Sequence, residues 1–153
     1  MKRMGMKKFG RIVAHVMETL PEAFREHIDN VVVDVEPDPS VEEMLSAGLT
    51  EEEIDDGETI YGLFEPMDMP AWAGDFVDLD SVMQRLIIYK RPLEDDFPEP
   101  RQFLTEVRKT VIHELAHHFG WTDRDLERFD DNPDPFRDGL MDRFLGESEG
   151  DRP

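Results

Sequence analysis

The segment best suited to chemistry is "TVIHELAHHFGWTDRD", residues 110–125. His113 and His117 are four positions apart, so on a helix both imidazoles project from one face, one turn from each other. Nitrogens with that separation can both reach one Zn²⁺ ion with bonds of roughly 2.0–2.1 Å. Glu114, about 100° further round the helix, would lie beside the ion without replacing a ligand. A carboxylate there can accept a proton from water on the metal.

The residues that follow predict a third ligand. Gly120 permits the left-handed backbone with which a helix commonly ends, so the chain can turn back after it. Asp123 then supplies an oxygen ligand. Two histidines, one aspartate and one position left for water are typical of a catalytic zinc site rather than a closed structural one. We expect Zn²⁺ to polarise the scissile carbonyl and to lower the pKa of its water, with Glu114 as general base.

Other interpretations of the motif stay open from the residues alone. His113 and His117 could be ordinary core histidines, although burying them with a glutamate and no counter-ion would cost roughly several kcal/mol. The chain could also hold zinc without turnover, or serve only as an interaction protein. The sequence also leaves open which residue donates a hydrogen bond to the tetrahedral oxyanion formed during hydrolysis. Tyr61, Tyr89 and His118 are candidates because each can donate one.

Composition excludes several classes of protein. The 153 residues contain no cysteine, which rules out disulfides and thiolate metal sites. Acidic residues number 37 against 17 basic ones, a formal charge of −20, and such a surface would repel nucleic acid. No apolar run approaches the roughly 18 residues of a membrane span. His15 and Glu18 interrupt the apolar part of the N-terminal segment, which predicts an amphipathic helix rather than a signal peptide. A cytoplasmic location is the default expectation.

Apolar periodicity predicts the elements that must position the motif. Helical spacing is found at Phe9, Ile12, Val13, Val16, Met17 and Leu20. Strands are predicted over 30–37, 59–66 and 85–92, a capping box at Ser40 and Glu43, loop or irregular helix over 48–58, and a connection over 93–100. A helix of about 28 Å should run from Arg101 to Gly120. This order predicts one α+β domain over residues 1–145, with helices packed on a small sheet, and a disordered acidic tail over 146–153.

The motif also resembles that of a known family. His113, Glu114, His117, Gly120 and Asp123 match the H-E-x-x-H-x-x-G-x-x-D signature of zincin metallopeptidases whose third ligand is aspartate. With "IYGLFEP" and "RLIIYKRPLE" ahead of it, "VRKTVIHELAHHFGWTDRDLE" is similar to the small bacterial zincin-like metallopeptidases, or minimal zincins. The resemblance is strong over 61–127. It implies a minimal zincin-like fold, a small mixed sheet against a long active-site helix and an N-terminal helix. It also implies zinc bound by the two histidines and the aspartate, and hydrolysis of a peptide or amide bond.

The resemblance further implies where a peptide substrate would lie. In zincins, the strand before last ahead of the motif helix is an edge that pairs with an extended peptide. By order this is 60–65, so Gly62, Leu63 and Phe64 are the expected substrate-binding residues, with Gly62 allowing close backbone approach. An ordinary strand with a glycine bulge is the alternative. The insert over 67–82 and the acidic extension after Asp130 exceed the family pattern, and either could shape or cover the cleft.

Overall fold

The computed structural model describes residues 4–20, 22–66 and 83–120 of the chain. In this part the strands are β1 (Val31–Glu36), β2 (Gly62–Pro66) and β3 (Gln84–Tyr89). The helices are α1 (Met6–Glu18), α2 (Glu22–Arg25), α3 (Val41–Ser46), α4 (Glu51–Asp55), α5 (Lys90–Asp96) and α6 (Pro100–Phe119). The chain therefore has the mixed α+β composition that the sequence predicts.

The three strands form one mixed sheet in the order β1–β3–β2. Strand β3 pairs in parallel with β1 and antiparallel with β2, with Gly62 opposite Ile88. Because β3 is central and covered on both faces, its residues from Leu86 to Tyr89 are fully buried. Within the described residues β2 has no partner on its other side, so it is an edge strand there.

Helices α1 and α6 cover one face of the sheet and form most of the core. The buried positions of α1 follow a helical period, as do those of α6, and the rings of Phe9 and Phe103 meet with centroids 6.1 Å apart. Each fully buried side chain of this size contributes about 1.5–3 kcal/mol. The buried residues of the two helices are Phe9, Ile12, Val13, Val16, Phe103, Leu104, Val107, Arg108, Val111, Ile112, Leu115 and Ala116. The N-terminal and motif helices are thus found where periodicity predicts them.

The third strand differs from its prediction. It was expected to run to Pro92, with a connection over 93–100, and both expectations are wrong, because the chain enters α5 directly after Tyr89. Proline is tolerated in the first turn of a helix. The buried Lys90 Nζ lies 2.9 Å from Glu94 Oε1, one turn along, and Glu94 Oε2 also accepts a hydrogen bond from the backbone N–H of Met4 at 3.0 Å. These contacts stabilise a helix that the local sequence only weakly favours.

Two capping boxes begin the short helices α3 and α4. Ser40 and Glu43 form the predicted one, and Thr50 and Glu53 form a second in the segment expected to be loop or irregular helix. Neither helix contains a buried residue, so local capping contributes a large part of their stability.

Several predictions concern residues that the structure does not describe. The 67–82 insert, the extension after Asp130 and the 146–153 tail lie outside the described residues, as does part of the proposed 1–145 domain. In the part that the structure describes, no helix is long and apolar enough to cross a membrane.

Candidate metal centre and its cleft

Helix α6 carries the motif without interruption. It begins after Glu99, whose side chain accepts a hydrogen bond from the backbone N–H of Gln102 at 2.8 Å, with Pro100 in the first turn. It ends at Gly120, whose φ of 74° is left-handed and whose N–H donates to the carbonyls of Ala116 and His117. The two motif histidines therefore lie one turn apart on one continuous helix, in its last two turns.

A cleft of about 720 Å³ opens between α6, the β2 edge and the end of α3. The motif contributes His113, Glu114 and His117 to its lining, and the three predicted substrate-binding residues contribute as well. The full lining comprises Ser46, Ala47, Ile60, Tyr61, Gly62, Leu63, Phe64, Gln84, Thr110, His113, Glu114, His117 and His118. The structure therefore brings the candidate base, two candidate ligands and an edge strand into one cavity.

The histidine pair suits a zinc ion as far as the described residues extend. Both His113 and His117 are exposed to solvent in the cleft, and neutral imidazole is a common zinc ligand. Across 4–20, 22–66 and 83–120, no three histidine, aspartate or glutamate side chains are grouped to hold a metal. Asp123, the third ligand predicted from the sequence, lies outside the described residues.

Gly62 packs directly against the candidate base. A Cβ atom at this position would lie 3.1 Å from Glu114 Cγ, 3.2 Å from Thr110 Cγ2 and 3.2 Å from the Ile87 carbonyl oxygen. A side chain here would require these neighbours to move by a few tenths of an ångström, so glycine favours the close approach of β2 to α6. The sequence predicted close approach of a substrate at Gly62; in the structure, the close neighbour is the helix that carries Glu114.

Burial changes the acidity of Glu114. Removal from water disfavours the carboxylate and raises the pKa of Glu114 from 4.5 to about 7. A carboxyl group with a pKa near neutrality is well matched to accept and return a proton at physiological pH. A cation held by the neighbouring histidines would favour the charged form and lower this pKa again.

The three candidate oxyanion donors differ in their surroundings. Tyr61 lines the cleft, but its hydroxyl donates a hydrogen bond to Asp96, and burial followed by this contact raises the pKa of Tyr61 to about 12. Tyr89 is fully buried and does not line the cleft. The ring of His118 stacks on Phe64, with centroids 4.0 Å apart and planes inclined by 18°, and burial lowers the pKa of His118.

Sequence reasoning missed other members of the lining. Thr110 lies one turn before the motif, with its hydroxyl donating to the Glu106 carbonyl at 2.8 Å, and its spacing from His113 and Glu114 could have identified it. Ser46 and Ala47 form the opposite wall of the cleft, and Gln84 lies at the start of β3. No local signal connects these three with the motif.

Comparison with protein-family profiles agrees with the resemblance noted in the sequence. The profile of the zincin-like metallopeptidase family matches residues 28–132. Among curated proteins, none matches this chain. A solved structure of a conserved hypothetical protein from Thermo thermophilus is similar at 23% identity, over 74% of this chain and 92% of that one, with a TM-score of 0.47. Because the family profile spans well over half of the sequence and includes the whole motif, the chain belongs to the zincin-like metallopeptidase family.

Proposed function

We propose that this protein is a zinc-dependent peptidase that hydrolyses a peptide or amide bond, with Glu114 as its general base. The observation that carries this proposal is the shared cleft, which His113, Glu114 and His117 line together with residues of the edge strand β2. Membership of a metallopeptidase family supports the same class of reaction.

His113 and His117 would hold the zinc ion, with Asp123 as the third ligand. Their imidazoles lie one turn apart on α6 and are open to the cleft, which suits a metal that must also meet substrate. When bound, Zn²⁺ supplies Lewis acidity, which polarises a carbonyl group and acidifies water.

Glu114 would move the proton during hydrolysis. Its carboxylate accepts a proton from the attacking water and returns it to the nitrogen of the leaving amine. Gly62 packs against Glu114, and in the metal-free protein burial raises the pKa of this carboxyl group. The same strand offers the backbone groups of Gly62, Leu63 and Phe64 for pairing with an extended peptide.

The test compares wild-type protein with Glu114→Gln and His113→Ala, each assayed for zinc content and for cleavage of a peptide library. We expect Glu114→Gln to keep its zinc and to lose about 10²–10⁴-fold in rate, since glutamine cannot accept the proton. His113→Ala should lose most of its zinc. Unchanged cleavage by Glu114→Gln would contradict the role of this residue.

The same experiment separates the other classes of protein. A wild-type chain that binds zinc through His113 but cleaves no member of the library would be a zinc-binding module without turnover. A chain that purifies without metal, and whose melting temperature is unaffected by chelators or added zinc, would be an interaction protein. Either result would overturn the peptidase proposal.

A further inference from the structure

Aromatic rings hold the last turn of α6 on two sides. On the cleft side, His118 stacks on Phe64 of the edge strand, with 4.0 Å between ring centroids. On the other side, the ring of Phe119 packs against those of Phe24 and His27, with ring centroids 6.4 Å and 5.5 Å apart. His118 and Phe119 directly follow the second histidine of the motif, so the turn that carries this histidine is packed from both directions.

Zinc binding by the motif depends on that turn. Helix ends tend to fray, because their final carbonyl groups have no partners within the helix. His117 lies in the last turn of α6, whereas His113 lies one turn further in. Their nitrogens must both lie roughly 2.0–2.1 Å from one ion, so any unwinding of the last turn would separate the two ligands.

We propose that His118 is a positioning residue for the metal: its ring, stacked on Phe64, holds the last turn of α6 against β2 and so fixes His117 for zinc binding. This inference rests on the proposed function, because it requires that His113 and His117 bind the ion. The near-parallel planes, inclined by 18°, indicate that the flat face of His118 makes the contact. Neither the charge of this ring nor its nitrogens is needed for that role.

A ring that acts only through stacking can be replaced by another flat ring. His118→Phe keeps a ring and removes both nitrogens, whereas His118→Ala removes the contact altogether. Phe64→Leu removes the stacking partner on β2, because leucine retains apolar bulk without a flat ring. The three substitutions leave His113, Glu114 and His117 unchanged.

The experiment measures zinc affinity of the full chain by competition with a chromophoric chelator, and the visible spectrum of the cobalt-substituted protein. We expect His118→Ala and Phe64→Leu each to weaken zinc binding about tenfold and to alter the cobalt bands, as supporting groups around metal ligands commonly do. The double variant should bind no more weakly than either single one, because both remove the same contact. His118→Phe should retain nearly wild-type affinity and spectrum.

Three results would overturn the inference, and they differ from failure of the proposed function. Wild-type affinity in both His118→Ala and Phe64→Leu would show that the stack does not position the ligand. Weakening in His118→Phe equal to that in His118→Ala would assign the effect to the imidazole nitrogens. Additive losses in the double variant would show that the two rings act separately. Absence of zinc binding by the wild-type chain would instead refute the proposed function, and this inference with it.

Discussion

Gly62 and Glu114 are packed so closely that a side chain at residue 62 would be crowded: a Cβ atom there would lie 3.1 Å from Glu114 Cγ. The position of the edge strand at Gly62 and the position of the Glu114 side chain therefore depend on each other. A substitution at either residue should therefore shift the position of the other.

Gly62→Ala should impair catalysis more than zinc binding. The added methyl group would displace Glu114 and also meet the Ile87 carbonyl oxygen at 3.2 Å, and backbone cannot yield as a side chain can. We expect turnover to fall at least about tenfold and stability to fall by about 1–3 kcal/mol, with zinc content unchanged. Peptide cleavage, metal analysis and urea unfolding measure the three effects.

Gly10→Ala is the matched control for this substitution. A Cβ atom at Gly10 would meet Val35 Cγ2 at 3.8 Å, an ordinary contact, and the residue lies within helix α1. Alanine there should raise stability by about 0.5–1 kcal/mol and leave turnover unchanged. Equal activity of the two glycine variants would contradict the role assigned to Gly62.

Glu114→Gln should stabilise the metal-free protein at high pH. The pKa of Glu114 is raised from 4.5 to about 7 in the folded state, so the contribution of this group to stability is fully present below pH 4.5 and is lost as the pH rises to about 7. At pH 8 the neutral glutamine avoids that loss, which is on the order of 2 kcal/mol. Urea unfolding of both proteins with a chelator present, at pH 4 and pH 8, measures the difference. A gain of the same size at both pH values would contradict this assignment.

Gly120→Ala should weaken both the fold and the metal site. Its φ of 74° costs an L-residue about 1–2 kcal/mol, although a Cβ atom there would meet nothing within 4 Å. We expect a comparable loss of stability, and weaker zinc binding, because Gly120 ends the helix that carries His117 and precedes the proposed ligand Asp123. Gly57→Ala, at φ 94°, places a similar strain beyond α4 and should lower stability without changing zinc affinity. Chelator competition on both variants provides the comparison.

Tyr61→Phe should leave turnover nearly unchanged. Its hydroxyl is bound to Asp96, so we expect the change to lower stability by about 1 kcal/mol. Loss of an oxyanion donor would instead lower kcat about 10²–10³-fold. Burial and Asp96 raise the pKa of Tyr61 to about 12, so its contribution to stability is fully present below pH 10 and is lost as the pH rises to 12. Thermal unfolding should therefore show a shallower alkaline decline in the variant, and a large kcat defect at pH 7 would reassign the hydroxyl to catalysis.

The sequence predicted the parts of the fold whose signals are local. Apolar periodicity indicated α1 and α6, β-branched runs indicated the strands, and Gly120 indicated where the motif helix ends. Helix α5 was missed because "KRPLEDD" has no apolar period, and contacts between Lys90, Glu94 and the distant Met4 stabilise it instead.

At the site, local spacing identified His113, Glu114 and His117 as neighbours but could not reveal their surroundings. The packing of Gly62 on α6 and the stacking of His118 on Phe64 join residues far apart in the chain, so no window of sequence contains them. The bond from Tyr61 to Asp96 is of the same kind. Such contacts depend on how β2 and α5 pack against the rest of the fold.

The two walls of the cleft differ in how firmly they are packed against the core. One wall is formed by α6 and the sheet. The facing wall is formed by Ser46 and Ala47, which lie at the end of α3, a helix that has no residue in the core. Segments with little buried apolar surface open at a small fraction of the global unfolding free energy. Backbone amides over 41–55 should therefore exchange with deuterium much faster than those of Val111 and Ile112, and we expect the cleft to widen from the α3 side while the side formed by α6 keeps its shape.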